Sequence, residues 1–489
     1  MGYFMNSTIS SVSSPKRYTY NLKGQTVTVK LTNNPFDFEP QTLFSLAARK
    51  NKKRGFLFVS KVLGKHVPND PFIPLLAGAA LAAQFLSKIH GVEHVDTPAM
   101  IQALKSHEET RAVYETVINR ALIALPHKTL FIGFAETATG LGHAVFSLFD
   151  QAYYLHTTRE QILNLASEFN FNEEHSHAVN HRCYPLDAEL IKTSKTIVLV
   201  DDEITTGKTA LNFIRAIHAK FPKTNYVVLS LLDWRTAEDR ASYRKLEQQL
   251  DIIITTTSLL EGEIAVSGDP MTEQPDPLNH ALRPDISEAP VVPDLKLLKL
   301  NEQVPNFSGA SVDNKNVPPY LLFTGRFGLS TLDNQQVLPL AREIGEQLKL
   351  GRISEKTLCL GTGEFMYFPM LVSAYMGKGI RFHTTTRSPI YSLGEPQYGI
   401  QNAFSFENPD EASTLNYIYN VPFDAYDEVY VFFEREVSEE KLASMLEALH
   451  ECGIPRLAFV ACSSSKGPFS PSMATRTLGS IASVSLQQK

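Results

Sequence analysis

Residues 196–209, TIVLVDDEITTGKT, constrain this chain more than any other stretch. Residues 197–200 read as a buried parallel strand, and residues 210–220 (ALNFIRAIHAK) read as the helix that follows it. A strand, a small polar loop and a helix N-terminus together make an anion site. Thr205, Thr206, Gly207, Lys208 and Thr209 turn backbone N–H groups and hydroxyls toward one anion, and the helix dipole adds roughly 0.3–1 kcal/mol. Asp201 and Asp202 face that pocket from the strand's carboxyl end. Gly207-Lys208-Thr209 also matches the end of a G-x-x-x-x-G-K-[ST] nucleotide loop, but the first glycine would fall on Asp202, where the cradle must bend. An ordinary strand and turn is the remaining alternative.

Two adjacent carboxylates repel a bare phosphate, so hydroxyls or a cation must stand between. A sugar phosphate with bound Mg²⁺ supplies both: the carboxylates take ribose hydroxyls or metal-bound waters while the loop takes the 5′-phosphate. The string resembles the phosphoribosyl-pyrophosphate (PRPP) motif of the type I phosphoribosyltransferases. That resemblance implies an α/β fold, a parallel sheet with flanking helices, with PRPP as co-substrate and Mg²⁺ as cofactor. It gives Asp201 and Asp202 a catalytic and metal-binding role.

Residues 18–31 alternate like a strand or hairpin turning at Gly24. The basic segment 48–68 contains a strand-like run, 56–59, then Lys61 and Lys65, which are either part of a solvated turn or ligands of an anionic substrate. In its setting it resembles the lysine-containing segment near the start of orotate phosphoribosyltransferases. Residues 71–88 read as a buried helix and 100–125 as an amphipathic one. A strand at 130–134 then enters Ala135, Glu136, Thr137 and Ala138 before another helix. The glycines there are not a dinucleotide fingerprint, because Val145 stands where a third glycine is needed. The resemblance makes this the pyrophosphate loop.

Residues 153–158 read as the next strand. The polar segment 167–185 is too long for an idle loop in a compact domain. The resemblance implies a mobile catalytic loop here, with His175, His177 and Glu174 as catalytic candidates beside Glu173 and His181. A zinc site through His-x-His, or a solvated loop without chemistry, is also open. Residues 226–232 and 252–256 read as strands. Trp234, the only tryptophan, either stacks on an acceptor base with Asp233 or Arg235 reading an edge, or packs between elements.

These features divide the chain into a flexible start (1–17), a phosphoribosyltransferase domain (18–264), a proline-rich linker (265–319), a second α/β domain (320–462) and a disordered serine-rich tail (463–489). In the second domain, strands at 357–360, 380–385 and 428–433 end in polar residues. They predict a ligand crevice that uses Gly361, Gly363, Glu364 (expected to open a helix), Arg387 and Ser388. The TRSP string at 386–389, placed after G-T-G-E, resembles the TRSP-domain proteins. Those are two-domain phosphoribosyltransferases of bacterial tellurium-resistance and stress gene neighbourhoods, which implies partners from such an operon.

Of the residues, 43% are hydrophobic and 20% charged, with a formal net charge of −6, so no general attraction to nucleic acid or membrane follows. Four scattered cysteines without a C-x-x-C pair point to a reducing cytoplasm. The most apolar segment, 73–86, is short for a bilayer span. The whole reads as an Mg²⁺-dependent transfer of ribose 5-phosphate from PRPP to a nucleobase-like nitrogen, with pyrophosphate released. Type I relatives are commonly dimers. The alternative is a PRPP- or nucleotide-sensing protein without turnover.

Overall fold

The run of apolar β-branched residues that opens the acidic motif becomes the middle of a sheet. The computed structural model describes residues 16–50, 55–162, 165–172, 180–270, 294–299, 309–311, 314–316, 319–411, 414–463 and 485–488. In it the strand Thr196–Ile204 pairs in parallel with Ile123–Gly133 on one side and Asn225–Asp233 on the other. Phe149–His156 and Ile253–Gly268 extend this parallel core, and the hairpin Arg17–Leu22/Gln25–Asn33 adds antiparallel edge strands. The sheet has eight strands. Its central residues are buried on both faces, as a near-continuous apolar strand requires.

Chain order reverses at one place in this sheet. From Ile123–Gly133 the chain steps outward to Phe149–His156, then returns across to Thr196–Ile204 on the other side. Such a switch point leaves a crevice beyond the strands' carboxyl ends. The crevice here lies between Gly133 and Val200, which are register partners.

A second sheet repeats the logic. Thr357–Gly361 pairs in parallel with Ile380–Thr384 on one side and Glu428–Phe433 on the other, with Arg456–Ala461 beyond. The two units share one apolar core, in which Phe131 and Tyr154 of the first belong with Phe368 and Met370 of the second. The second unit also lends the strand Leu329–Ser330 to the edge of the first sheet, against Tyr154 and Tyr153.

Several expectations need correction. The helix expected over 100–125 is two helices, Thr97–Ser106 and Thr110–Ile118, because His107 and Glu109 take left-handed backbone conformations between them. The polar loop closes at its ends into a ribbon, Phe169–Asn172 against Asn180–Cys183. The expected linker carries strands, among them Asp294–Lys299, which joins the second sheet; the expected tail contributes Ser485–Gln488. The segment Phe72–His90 is long and apolar enough to cross a membrane by length and composition, and 83% of its apolar window is buried inside the fold.

Candidate functional site

Two loops leave neighbouring parallel strands at the switch point, and their spacing follows from the register. Beyond Val200 come Asp201 and Asp202, both half-buried, with the Asp202 N–H donating to Asp201 Oδ1 at 3.0 Å. Beyond Gly133 comes the 135–138 loop, tied back by Phe134 N–H donating to the Val200 carbonyl at 3.0 Å.

The strand Thr196–Ile204 continues through Thr205 and Thr206 into Gly207, which caps the helix Lys208–Lys220 at φ 74°. A side chain there would meet Tyr243 Oη at 2.2 Å, so glycine alone fits both the dihedral and the space. The Tyr243 hydroxyl donates to the Gly207 carbonyl at 3.1 Å. Behind it, Arg235 lies 4.3 Å from the Tyr243 ring centroid and is paired with Asp233 at 2.6 Å. Asp233 and Arg235 thus brace the loop instead of reading a ligand edge.

The 135–138 loop is braced as well. The Ala135–Glu136 peptide is cis. Ala135 N–H donates to Thr157 Oγ1 at 2.8 Å, and that hydroxyl meets His181 Nδ1 at 3.0 Å. His181, expected in a catalytic loop, is buried and supports the loop through Thr157. His175, His177, Glu173 and Glu174 lie outside the described residues.

Glu136 and Lys65 form a buried pair at 3.4 Å, with side chains 6% and 1% exposed. Burial pushes the Glu136 carboxyl up, but Lys65, Arg159 and Arg387 outweigh it and hold it below its ordinary range. Burial lowers the Lys65 ammonium, opposed by Glu136. Lys61 behaves differently: it donates to the Gln41 carbonyl at 2.9 Å, so the structure brings Lys65 to the loop and leaves Lys61 in a backbone contact.

Trp234 is 2% exposed. It stacks on Phe58 at 4.8 Å and meets Phe44 edge-on, so its ring has no face left for an acceptor. It fastens the hairpin Phe44–Ala48/Phe56–Ser60 to the sheet. The second unit grips that hairpin from outside, where Tyr391 and Gly399 N–H donate to the Ala48 and Leu46 carbonyls at 2.9 and 2.8 Å.

The second unit's expected ligand residues are turned toward the first unit. Glu364 does not open a helix, since the helix there is Tyr367–Ala374. Its carboxylate accepts from Thr158 Oγ1 at 2.6 Å and from Arg159 N–H at 2.7 Å. Its carbonyl accepts from Thr139 Oγ1 at 3.0 Å. Gly361 is needed because a side chain would strike the Phe365 carbonyl at 2.6 Å, and Gly363 faces Glu136 Oε1. Ser388 N–H donates to Thr386 Oγ1, and its carbonyl accepts from Tyr419. Arg387 pairs with Glu411 at 2.6 Å.

A charged cluster that the sequence left unpaired lies beside them. Arg326 joins Glu434 at 2.6 Å, Glu160 at 3.3 Å and Glu364 at 3.6 Å; Arg435 joins Glu160 at 3.1 Å. Both guanidinium groups lie over the Tyr320 ring. Arg326 and Glu434 are both visible in the sequence as polar residues after glycine or at a strand end, but nothing there says that they meet. Among the described residues no group of three or more His, Cys, Asp or Glu gathers as a metal site. A cavity of about 250 Å³ beside Tyr114, Asn334 and Leu338 is lined by none of the candidate site residues.

Residues 43–263 match the family model described as phosphoribosyl transferase, and residues 323–449 match the TRSP domain described as C-terminal to it. No curated protein matches the chain. Among solved structures, the chain is similar to an adenine phosphoribosyl transferase from Trypanosoma brucei in complex with AMP, pyrophosphate and ribose-5-phosphate. The match has 10% identity, covers 47% of this chain and 82% of that one, and has a TM-score of 0.27. An adenine phosphoribosyltransferase from Giardia lamblia complexed with 9-deazaadenine matches at 20% identity over 35% of this chain and 82% of that one, TM-score 0.19.

Proposed function

We infer the reaction from one premise: the chain belongs to the phosphoribosyl transferase family and carries a TRSP domain at its C-terminal side. It is a phosphoribosyltransferase. The finer reading is that the first unit transfers ribose 5-phosphate from PRPP to a nucleobase-like nitrogen acceptor and releases pyrophosphate. One observation carries it: the acidic pair and the 135–138 loop leave adjacent parallel strands at the same register level, with the Gly207-capped helix directly after the acidic pair.

The 5′-phosphate belongs on Thr205, Thr206, Gly207, Lys208 and Thr209, against the positive end of a 13-residue helix. Asp201 and Asp202 accept hydrogen bonds from the ribose hydroxyls and lend negative potential as the sugar becomes cationic. The C1–O bond to pyrophosphate breaks, a C1–N bond to the acceptor forms, and the acceptor nitrogen loses its proton. Ala135, Glu136, Thr137 and Ala138 line the leaving group's side. His175, His177 and Glu174 are proposed to serve the proton transfer.

The donor set fits Mg²⁺ in the manner of a metal held largely by substrate phosphates and water, with one or two carboxylates, here Asp201 and Asp202. When bound, it neutralises charge developing on the departing diphosphate. The four cysteines are buried free thiols, which supports a reducing cytoplasmic setting. Stress-operon partners and a dimer belong to the same reading.

Pyrophosphate release from PRPP and Mg²⁺ is expected to require an acceptor from a panel of nitrogen bases. It should fall about a hundredfold or more in Asp201→Asn/Asp202→Asn. A wild-type protein that binds PRPP but releases no pyrophosphate with any acceptor of the panel would favour the sensing alternative.

A further inference from the structure

The second unit has its own switch point, between Gly361 and the end of Glu428–Phe433, and that crevice is filled. Thr158, Arg159 and Glu160 of the first unit enter it, and Arg326, Glu364 and Glu434 close around them. The neighbouring strand, Ile380–Thr384, ends differently. Its continuation, Thr385 to Arg387, runs onto the 135–138 loop. Lys65 donates to the Thr385 carbonyl at 3.2 Å, and Thr386 Oγ1 donates to Glu136 Oε2 at 3.4 Å.

We propose that Arg387 is the second unit's contribution to the PRPP site, its guanidinium binding the diphosphate across the seam from the 135–138 loop. This rests on the transferase reading of that loop. The charge balance points the same way. The loop itself carries no cation, only Glu136, and Lys65 is already matched to that carboxylate. A diphosphate arriving there meets a neutral pair and needs further positive charge, for which Arg159 of the first unit and Arg387 of the second, the other cations that act on Glu136, are the nearby sources.

Arg326 and Arg435 cannot supply it, because their partners Glu434 and Glu160 hold the units together. Arg387 is 23% exposed, and its partner Glu411, 36% exposed, lies on the rim, where a more highly charged anion can displace it. Burial opposes the charged guanidinium, but Glu136 and Glu411 outweigh it and favour the charged form; the adjacent Thr386 contact with Glu136 sets Arg387 beside the loop. A planar fork of donors matches phosphate oxygens in pairs.

The test is calorimetric titration of the full chain, in Mg²⁺, with PRPP, pyrophosphate and ribose 5-phosphate separately. Arg387→Ala is expected to weaken PRPP and pyrophosphate by about tenfold to a hundredfold and to leave ribose 5-phosphate unchanged. Arg387→Lys, which keeps the charge but loses the fork, should fall between and carries the test if the alanine variant does not fold. Unchanged PRPP and pyrophosphate affinity in both variants overturns the proposal. So does an equal loss for all three ligands in a folded Arg387→Lys protein. Wild-type protein that binds neither PRPP nor ribose 5-phosphate would instead remove the transferase reading on which the proposal stands.

Discussion

Taking the protein from pH 7 to pH 5 is expected to remove folding stability on the order of 2 kcal/mol for each of four histidines. His66, His143, His156 and His383 are buried, and burial is the main cause that lowers each ring to about 3 from an ordinary 6.5. All four stay neutral in the fold until the pH approaches 3, whereas the unfolded chain takes up its protons near 6.5. Between those values the unfolded state binds more protons, so stability rises with pH in that window and is fully present only above it. Glu136 and Glu160 act lower. Burial raises both carboxyls, but the surrounding cations outweigh it and depress them, so their contribution fades only below the unfolded value of 4.5. Urea midpoints at pH 7, 6 and 5 measure the effect. His383→Leu should flatten the dependence by about a quarter, since its ring is one of four. Equal midpoints at pH 7 and pH 5 would show that the rings admit protons or water without unfolding.

Arg326→Met should destabilise the protein by about 3–5 kcal/mol, because the change leaves buried carboxylates facing one another without their cation. Arg326 is 2% exposed, and its three carboxylate neighbours come from both units. Glu434 makes the shortest of these contacts, at 2.6 Å, and burial already pushes its carboxyl up. Removing the guanidinium strengthens that push. The double variant Arg326→Met/Glu434→Leu should therefore recover much of the loss, since it replaces a buried ion pair with apolar groups of similar size. Chemical denaturation of the single and double variants gives the coupling. If the double variant is as unstable as the sum of the two single losses, the pair is not a unit and the seam is held by the apolar core instead.

The first unit was legible in sequence because its strands are parallel and buried on both faces. Runs such as 197–200 and 226–232 declare themselves without reference to partners, and the acidic pair follows at once. Residues whose meaning depends on the second unit were not. Lys65 and Glu136 are 71 residues apart in the chain and meet only when two loops fold over the same strand ends. Glu364 has the composition of a ligand residue at a strand end, and it is one, but its ligand is the protein's own Thr158 and Arg159. Trp234 shows the same limit. A tryptophan beside a site stacks on a base or on a neighbour, and only the position of Phe58 decides between them. The break at His107 and Glu109 does have a local signal: residues 105–111 (KSHEETR) include no apolar side chain, so the apolar spacing lapses where the left-handed backbone falls.

The strand Leu329–Ser330 has a consequence for solubility. It covers part of the Phe149–His156 margin of the first sheet, opposite Tyr154 and Tyr153, where backbone donors and acceptors would otherwise face outward in an apolar setting. Exposed margins of that kind recruit other chains by the same hydrogen bonds that build a sheet, and proteins commonly blunt them with a covering segment. A chain cut before Tyr320 would keep the acidic motif and its helix yet present that margin bare. It would be expected to self-associate as it is concentrated, so the second unit guards the first against its own copies.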